Sequence, residues 1–271
     1  MKDHKFDRFG FTAVPFTNTP KTAYLDASRN NVLKNLQNFL NYRGFAVLCG
    51  SPGTGKTALL NHLCRNLHPN EHKIIYIPFS MLKPGDMLKN ICIKLNIEPT
   101  VSAGKMLSMI QDCITEIQPV NPVIVLDGIQ KISHQTLEVI RLMTNINFEE
   151  KNLFSVILAG NDEFIQHLKL RINEPLRQRV TCYSRLVQLS RKDTEEYITH
   201  NFETAGAHHK IITQQAVSLV YDFTAGIPRL INSLLFAALE AAAEAETQII
   251  DLEHINHAGI LVNPPAQEVY Q

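Results

Sequence analysis

Apolar residues recur along the chain with two different periods. Five runs have strand length: Phe45-Ala46-Val47-Leu48-Cys49, His72-Lys73-Ile74-Ile75-Tyr76-Ile77-Pro78, Pro122-Val123-Ile124-Val125-Leu126-Asp127, Leu153-Phe154-Ser155-Val156-Ile157-Leu158-Ala159, and a fifth within 180–188. The second run is nearly all apolar, which predicts a strand buried on both faces, as in a parallel sheet. Between the runs the apolar spacing turns helical. One helix is expected from Asp26 or Ser28 as cap to about Arg43, with Leu33, Leu36, Phe39 and Leu40 on one face. Others are expected over about 85–95, 104–118 and 133–146. Strands alternating with helices predict an α/β fold, a parallel five-stranded sheet between helical layers.

After about Leu189 the alternation stops. Ser190 and Asp193 form a capping-box-like start to a helix reaching about Thr204. Thr213 can cap a second, with Ala216, Leu219, Val220 and Phe223 on one face. A third starts after Pro228 and runs through the alanine-rich 237–245, and Asp251 can cap a short fourth. This predicts a small all-helical domain. At the other end, Phe9, Phe11, Phe16, Tyr24 and Leu25 lie among Gly10, Pro15 and Pro20, which reads as an extended segment docking its aromatics. The expected divisions are 1–25, 26–189, 190–260 and a tail, 261–271.

Composition narrows the class. Hydrophobic residues make up 45% and charged residues 19%, so the chain can bury a core. Lys+Arg and Asp+Glu are both 26, so any attraction to a polyanion must come from a local patch. Five cysteines (Cys49, Cys64, Cys92, Cys113, Cys182) in no C-x-x-C pair argue against a disulfide framework or a zinc site and favour a reducing cytoplasm. The start MKDHKFDRFG lacks the apolar core of a signal peptide, and no apolar run approaches the ~18 residues of a membrane span. His68/His72 and His254/His257 have ligand-like spacing, but no third ligand is evident.

The first strand runs into Gly50-Ser51-Pro52-Gly53-Thr54-Gly55-Lys56-Thr57, and Ala58-Leu59-Leu60 and Leu63 continue at helical spacing. This is G-x-x-x-x-G-K-T between a strand and a helix, the phosphate-binding loop in its proper context. Glycines bring backbone N–H groups close to phosphate oxygens, and the helix directs its positive end at the same anion. Residues Gly50 to Ala58 would cradle the phosphates of a nucleotide, with Lys56 on the β- and γ-phosphates and the Thr57 hydroxyl on Mg²⁺.

Asp127 ends an apolar strand, the Walker B position, and would be the second Mg²⁺ residue. In P-loop proteins with an additional strand between these two motifs, a glutamate normally follows the aspartate and polarises the attacking water. Here the next residue is Gly128. Loss of a positioned base costs roughly 10²–10⁴-fold in rate. Gln130 can hydrogen-bond a water but is a poor base; Asp162 or Glu163 are alternative carboxylates. Asn161, after the fourth strand, suits either a γ-phosphate contact or a turn. Residues 169–192 hold Lys169, Arg171, Arg177, Arg179, Arg185, Arg191 and Lys192 against Glu174 alone. They form either a solvated face or the source of an arginine finger, first Arg179 and then Arg177. Arg229, in Gly226-Ile227-Pro228-Arg229, is either a γ-phosphate reader or a surface residue of a Pro-started helix.

FGFTAVPF, GSPGTGKT, VIVLDGIQ, LAGND, LRQRV and GIPRLIN, in this order, resemble the general secretion pathway protein A (ExeA-like) family of AAA+ ATPases. That family overlaps in sequence with the TniB- and TnsC-like partners of transposases. The resemblance covers about residues 7–260 and implies a three-layer αβα P-loop NTPase domain followed by a helical AAA+ lid. It implies Lys56 and Thr57 as the Walker A pair, Asp127 as Walker B, Asn161 as sensor 1, Arg179 as finger, Arg229 as sensor 2, and Phe16 in a segment bordering the adenine. The family usually reads D-E-x-Q where this chain has Asp127-Gly128-Ile129-Gln130, and Gln where it has Asn161. The membrane span and wall-binding domain of the full secretion protein are not found before Gln271. A mobile-element role is therefore expected: a homo-oligomer, ring or filament, on double-stranded DNA that recruits a transposase, with Lys83 and Lys89 as DNA contacts. A cytoplasmic secretion or envelope ATPase, and a nucleotide-bound scaffold without hydrolysis, are the alternatives.

Overall fold

The computed structural model describes residues 4–16, 23–78, 83–143, 152–207 and 210–262. They divide into two compact units. One comprises Ala27–Pro52 and Lys56–Leu186; the other contains the described parts of 1–26 and 187–271, together with Gly53–Gly55.

The first unit is built on five strands: β1 (Gly44–Cys49), β2 (His72–Pro78), β3 (Asn121–Asp127), β4 (Ser155–Gly160) and β5 (Val180–Arg185). Their order is β2-β3-β4-β1-β5, all parallel. Helices α1 (Ala27–Tyr42), α2 (Lys56–Asn66), α3 (Pro84–Lys94), α4 (Ala103–Glu116), α5 (His134–Met143), α6 (Asp162–Lys169) and the single turn α7 (Glu174–Arg177) complete it. Side chains alternate across the sheet. Phe45 and Val47 of β1 join Ile124, Leu126, Val156 and Leu158 in a core with Met87, Ile91, Ile110, Leu137 and Ile140 from α3, α4 and α5. Ala46 and Leu48 are equally buried on the opposite face, where α1 packs on β1 and α2. The result is a three-layer αβα P-loop NTPase fold with a five-stranded parallel sheet.

β2 differs from the expectation of a strand buried on both faces. It is an edge strand in which only Ile75 and Ile77 are buried and Tyr76 is half-buried. Hydrophobic content alone does not say which strand lies at an edge.

A clamp closes the end of the sheet where β1 begins. Arg43, at φ +60°, donates from Nη1 to Gln118 Oε1 (2.6 Å) and the Leu153 carbonyl (2.8 Å), and from Nη2 to the Pro119 carbonyl (2.8 Å). It ties the end of α1 to the approaches to β3 and β4.

The second unit contains α8 (Arg191–Thr204), α9 (Gln214–Thr224), α10 (Pro228–Glu244) and α11 (Leu252–Val262). Ser190 and Asp193 form a complete capping box, and the Thr213 side chain caps α9. Leu234, Leu235, Ala238, Leu239 and Ala242 of α10 are core, so the alanine-rich stretch permits close helix packing.

Where an extended segment is expected, His4–Phe9 is a 3-10 helix. Its Phe6 and Phe9, with Phe16, are buried in the core of the helical unit, and that apolar contact selects the turn. Phe11 stacks on Phe202, Phe16 meets Phe202 edge-on at 5.0 Å, and Thr12 and Ala13 donate backbone N–H groups to the Ala205 carbonyl. The expected tail beyond Val262, and the end of the helix expected to reach 146, lie outside the described residues.

Candidate functional site

The loop between β1 and α2 turns through Gly53 at φ +83° and Gly55 at φ +98°, conformations that a residue with a β-carbon adopts only under strain. α2 begins at Lys56, so its first backbone N–H groups face the loop. Lys56 Nζ donates to the carbonyls of Gly50 (2.7 Å) and Ser51 (3.0 Å). Thr57 is exposed, and its Oγ1 donates to Asp127 Oδ2 at 2.5 Å. Asp127 itself is 8% exposed. The first turn of α2 and the end of β3 thus meet through this Thr57–Asp127 hydrogen bond.

The sheet order sets this pairing. β4 lies between β1 and β3, with Ala159 in register with both Leu48 and Asp127. Asn161 follows two residues later, directly past the end of β4. Its Oδ1 accepts the Phe164 N–H (3.3 Å), so it is the N-cap of α6, leaving the NH₂ group as its other polar end.

Sequence reasoning missed one residue of the cluster. Tyr76 Oη donates to Asp127 Oδ2 at 2.7 Å, so this single oxygen accepts two hydroxyls. Burial, with the hydrogen bond to Asp127 second, pushes the Tyr76 phenol above its usual range and keeps it a donor. Next to it, burial pushes the Cys64 thiol up to about 11, so it stays protonated and unreactive at neutral pH. The signal available in the sequence was a hydroxyl-bearing aromatic in an otherwise apolar strand.

Gly128 sits at φ +83°, with the N–H groups of Gly128 and Ile129 donating to the Ala159 carbonyl (3.0 and 3.1 Å). Gln130 is exposed. Asp162 is held by Arg185 through both guanidinium nitrogens (2.8 and 2.5 Å), while Glu163 is exposed in the first turn of α6.

The basic stretch is less basic in space than in sequence. Arg185 pairs with Asp162, Arg191 with Asp222 (2.5 Å), Lys192 with Glu196 (3.6 Å) and Arg177 with Glu174 (3.5 Å). Arg179 Nη1 donates to the Arg141 carbonyl in the last turn of α5 (3.3 Å). Lys89 lies 3.9 Å from Asp86, Lys83 is exposed at the start of α3, and the loop before it is outside the described residues.

Arg229 is exposed on the first turn of α10. Within the helical unit, to which Gly53–Gly55 belong by their contacts, the Arg229 N–H donates to the Gly53 carbonyl at 3.2 Å. His68 Nδ1 accepts the Asn70 N–H, and His254 lies 2.6 Å from Asp251. Among the described residues no three His, Cys, Asp or Glu side chains gather as a metal site. All five cysteines are free thiols, and no described helix is long and apolar enough to cross a membrane.

A glycine-turned loop ending in lysine, facing an aspartate two strands away across a parallel sheet, defines a P-loop protein. Residues 38–168 match the AAA domain family. The general secretion pathway protein A of Aeromonas hydrophila is 33% identical over 245 residues, 86% of this chain and 44% of the relative. The chain therefore spans less than half the length of that relative. Among solved structures, Cdc6p of Pyrobaculum aerophilum aligns with a TM-score of 0.75 at 19% identity, covering 91% of this chain and 70% of its own. The Aeropyrum pernix ORC1 protein, solved in complex with DNA, aligns at 0.72 and 20%, covering 91% and 68%. At these identities the structural likenesses establish the fold.

Proposed function

We propose that the protein binds ATP with Mg²⁺ at the loop between β1 and α2 and hydrolyses it slowly. The observation that carries this is the Thr57–Asp127 pair beside Lys56. A hydroxyl and a carboxylate are hard oxygen donors and fit Mg²⁺. When bound, the ion would supply charge neutralisation for the phosphates, with Thr57 and Asp127 as the residues that would hold it. Lys56 would leave the Gly50 and Ser51 carbonyls for the β- and γ-phosphates. Asn161 would direct its NH₂ toward the γ-phosphate, and Arg229 would report nucleotide state. Arg179 would release the Arg141 carbonyl to serve as a finger in a neighbouring copy.

Slow turnover follows from the water-activating position. Gly128 has no side chain, Gln130 is a poor base, Asp162 is paired with Arg185, and Glu163 lies exposed on the first turn of α6. Titration of a fluorescent ATP analogue tests the reading. Lys56→Ala is expected to weaken binding at least about tenfold, since a charge-assisted contact is lost. Equal affinity in both proteins overturns the assignment.

The reading extends to an oligomer that assembles on double-stranded DNA under nucleotide control and engages a transposase. The order of motifs in the chain supports it, and a protein of the same fold has been solved with DNA. Assembly on duplex DNA is expected with ATP and not with ADP; equal assembly with ATP, ADP and no nucleotide overturns this extension. The 33% identity to a general secretion pathway protein favours a second reading, an ATPase of secretion or envelope assembly. Co-purification with a transposase or with an envelope protein separates the two.

A further inference from the structure

We propose that Tyr76 is a positioning residue of the magnesium site, holding the Asp127 carboxylate in the orientation the ion requires. The proposal rests on the nucleotide reading above.

Strand register puts the phenol there. Tyr76 of β2 pairs with Val125 of β3, and Val125 and Asp127, two residues apart, point to the same face. Tyr76 therefore rises on the Asp127 face and reaches Oδ2 at 2.7 Å. The residue directly beside Asp127 on β2 is Pro78, which has no N–H to donate. The donor that β2 gives to this carboxylate is the Tyr76 hydroxyl.

Two donors on one oxygen have a geometric consequence. Thr57 approaches Oδ2 from α2 and Tyr76 approaches it from β2, so the carboxylate is pinned against rotation from two sides. A hydroxyl is both donor and acceptor, so Thr57 could give a lone pair to Mg²⁺ while its O–H keeps donating to Asp127. Tyr76 would hold the carboxylate from its second side whether or not the Thr57 oxygen also served the ion. Tyr76 itself contacts neither ion nor phosphate and acts through Asp127.

The test is Tyr76→Phe in the full chain, which removes the hydroxyl and keeps the ring. Binding of a fluorescent ATP analogue is measured against Mg²⁺ concentration and again in EDTA, with the ligand-free melting temperature alongside. The Mg²⁺ midpoint is expected to rise about tenfold, the worth of one hydrogen bond to a charged group. Affinity in EDTA is expected to be unchanged. An unchanged midpoint overturns the proposal. Equal losses with Mg²⁺ and with EDTA assign Tyr76 to the fold and also overturn it. If the unaltered protein binds no nucleotide in either condition, the nucleotide reading falls first and this proposal with it.

Discussion

Gly160 and Phe164 approach so closely that a β-carbon on the glycine would stand 2.8 Å from the phenylalanine β-carbon. Gly160 ends β4, and Phe164 is a fully buried residue in the first turn of α6. The contact folds α6 back over the strand, with Asn161 as the turn between them. Gly160→Ala forces the two backbones apart. Overpacking of this kind costs about 1–3 kcal/mol, so a lower denaturation midpoint is expected in chemical unfolding. An unchanged midpoint would mean that α6 is free to shift.

What could be read in advance, and what could not, divides by range. β1, the loop, α2 and Asp127 were legible because each is a local pattern: an apolar run, a glycine spacing, a strand-terminal carboxylate. The capping box of Ser190 and Asp193 is equally local. α6 went unread although Asn161 as cap, Asp162 and Glu163 in the first turn, and Phe164 with Leu168 announce it. The polar triplet looked like a site or a turn. The edge position of β2, and with it the reach of Tyr76, depends on strand order, which no window of sequence contains. The partners of Arg185, Arg191 and Lys192 lie outside the basic stretch or beyond its end, so a running charge count could not show its neutralisation.

Gly128 invites a repair that the backbone opposes. At φ +83° a residue with a β-carbon pays about 1–2 kcal/mol. A glutamate there also leaves the chain in a direction set by this left-handed conformation, not by an extended strand end. Gly128→Glu is therefore expected to lower stability by about 1–2 kcal/mol and to leave ATP turnover at its original rate. A tenfold rise in kcat would show instead that the backbone relaxes and that the missing carboxylate alone limits hydrolysis.

Arg43 separates stability from binding. Its guanidinium serves three oxygens at the end of the sheet opposite the phosphate loop. Burial lowers its pKa, yet those oxygens keep the charge solvated. Arg43→Met retains the stem and removes the donors. Losing hydrogen bonds to a charged group costs about 1.5–3 kcal/mol, so the unfolding midpoint is expected to fall while affinity for ATP stays the same. A matching loss of affinity would show that the strain reaches the loop.

Alkaline pH should act on the helical unit through Tyr24. Burial first, then its hydrogen bond to Glu196 (3.0 Å), raises the pKa of this phenol. Above pH 10 the unfolded chain loses the Tyr24 proton while the folded protein retains it. The unfolded state then binds fewer protons, so stability falls as pH rises. Below pH 10 both states are protonated, and the contribution is fully present. Tyr24→Phe keeps the ring against Tyr197 and His200 but removes the titrating group. Its unfolding free energy is expected to decline less steeply between pH 10 and 11 than that of the unaltered protein, as followed by circular dichroism. Parallel declines in the two proteins would assign the alkaline loss to other residues.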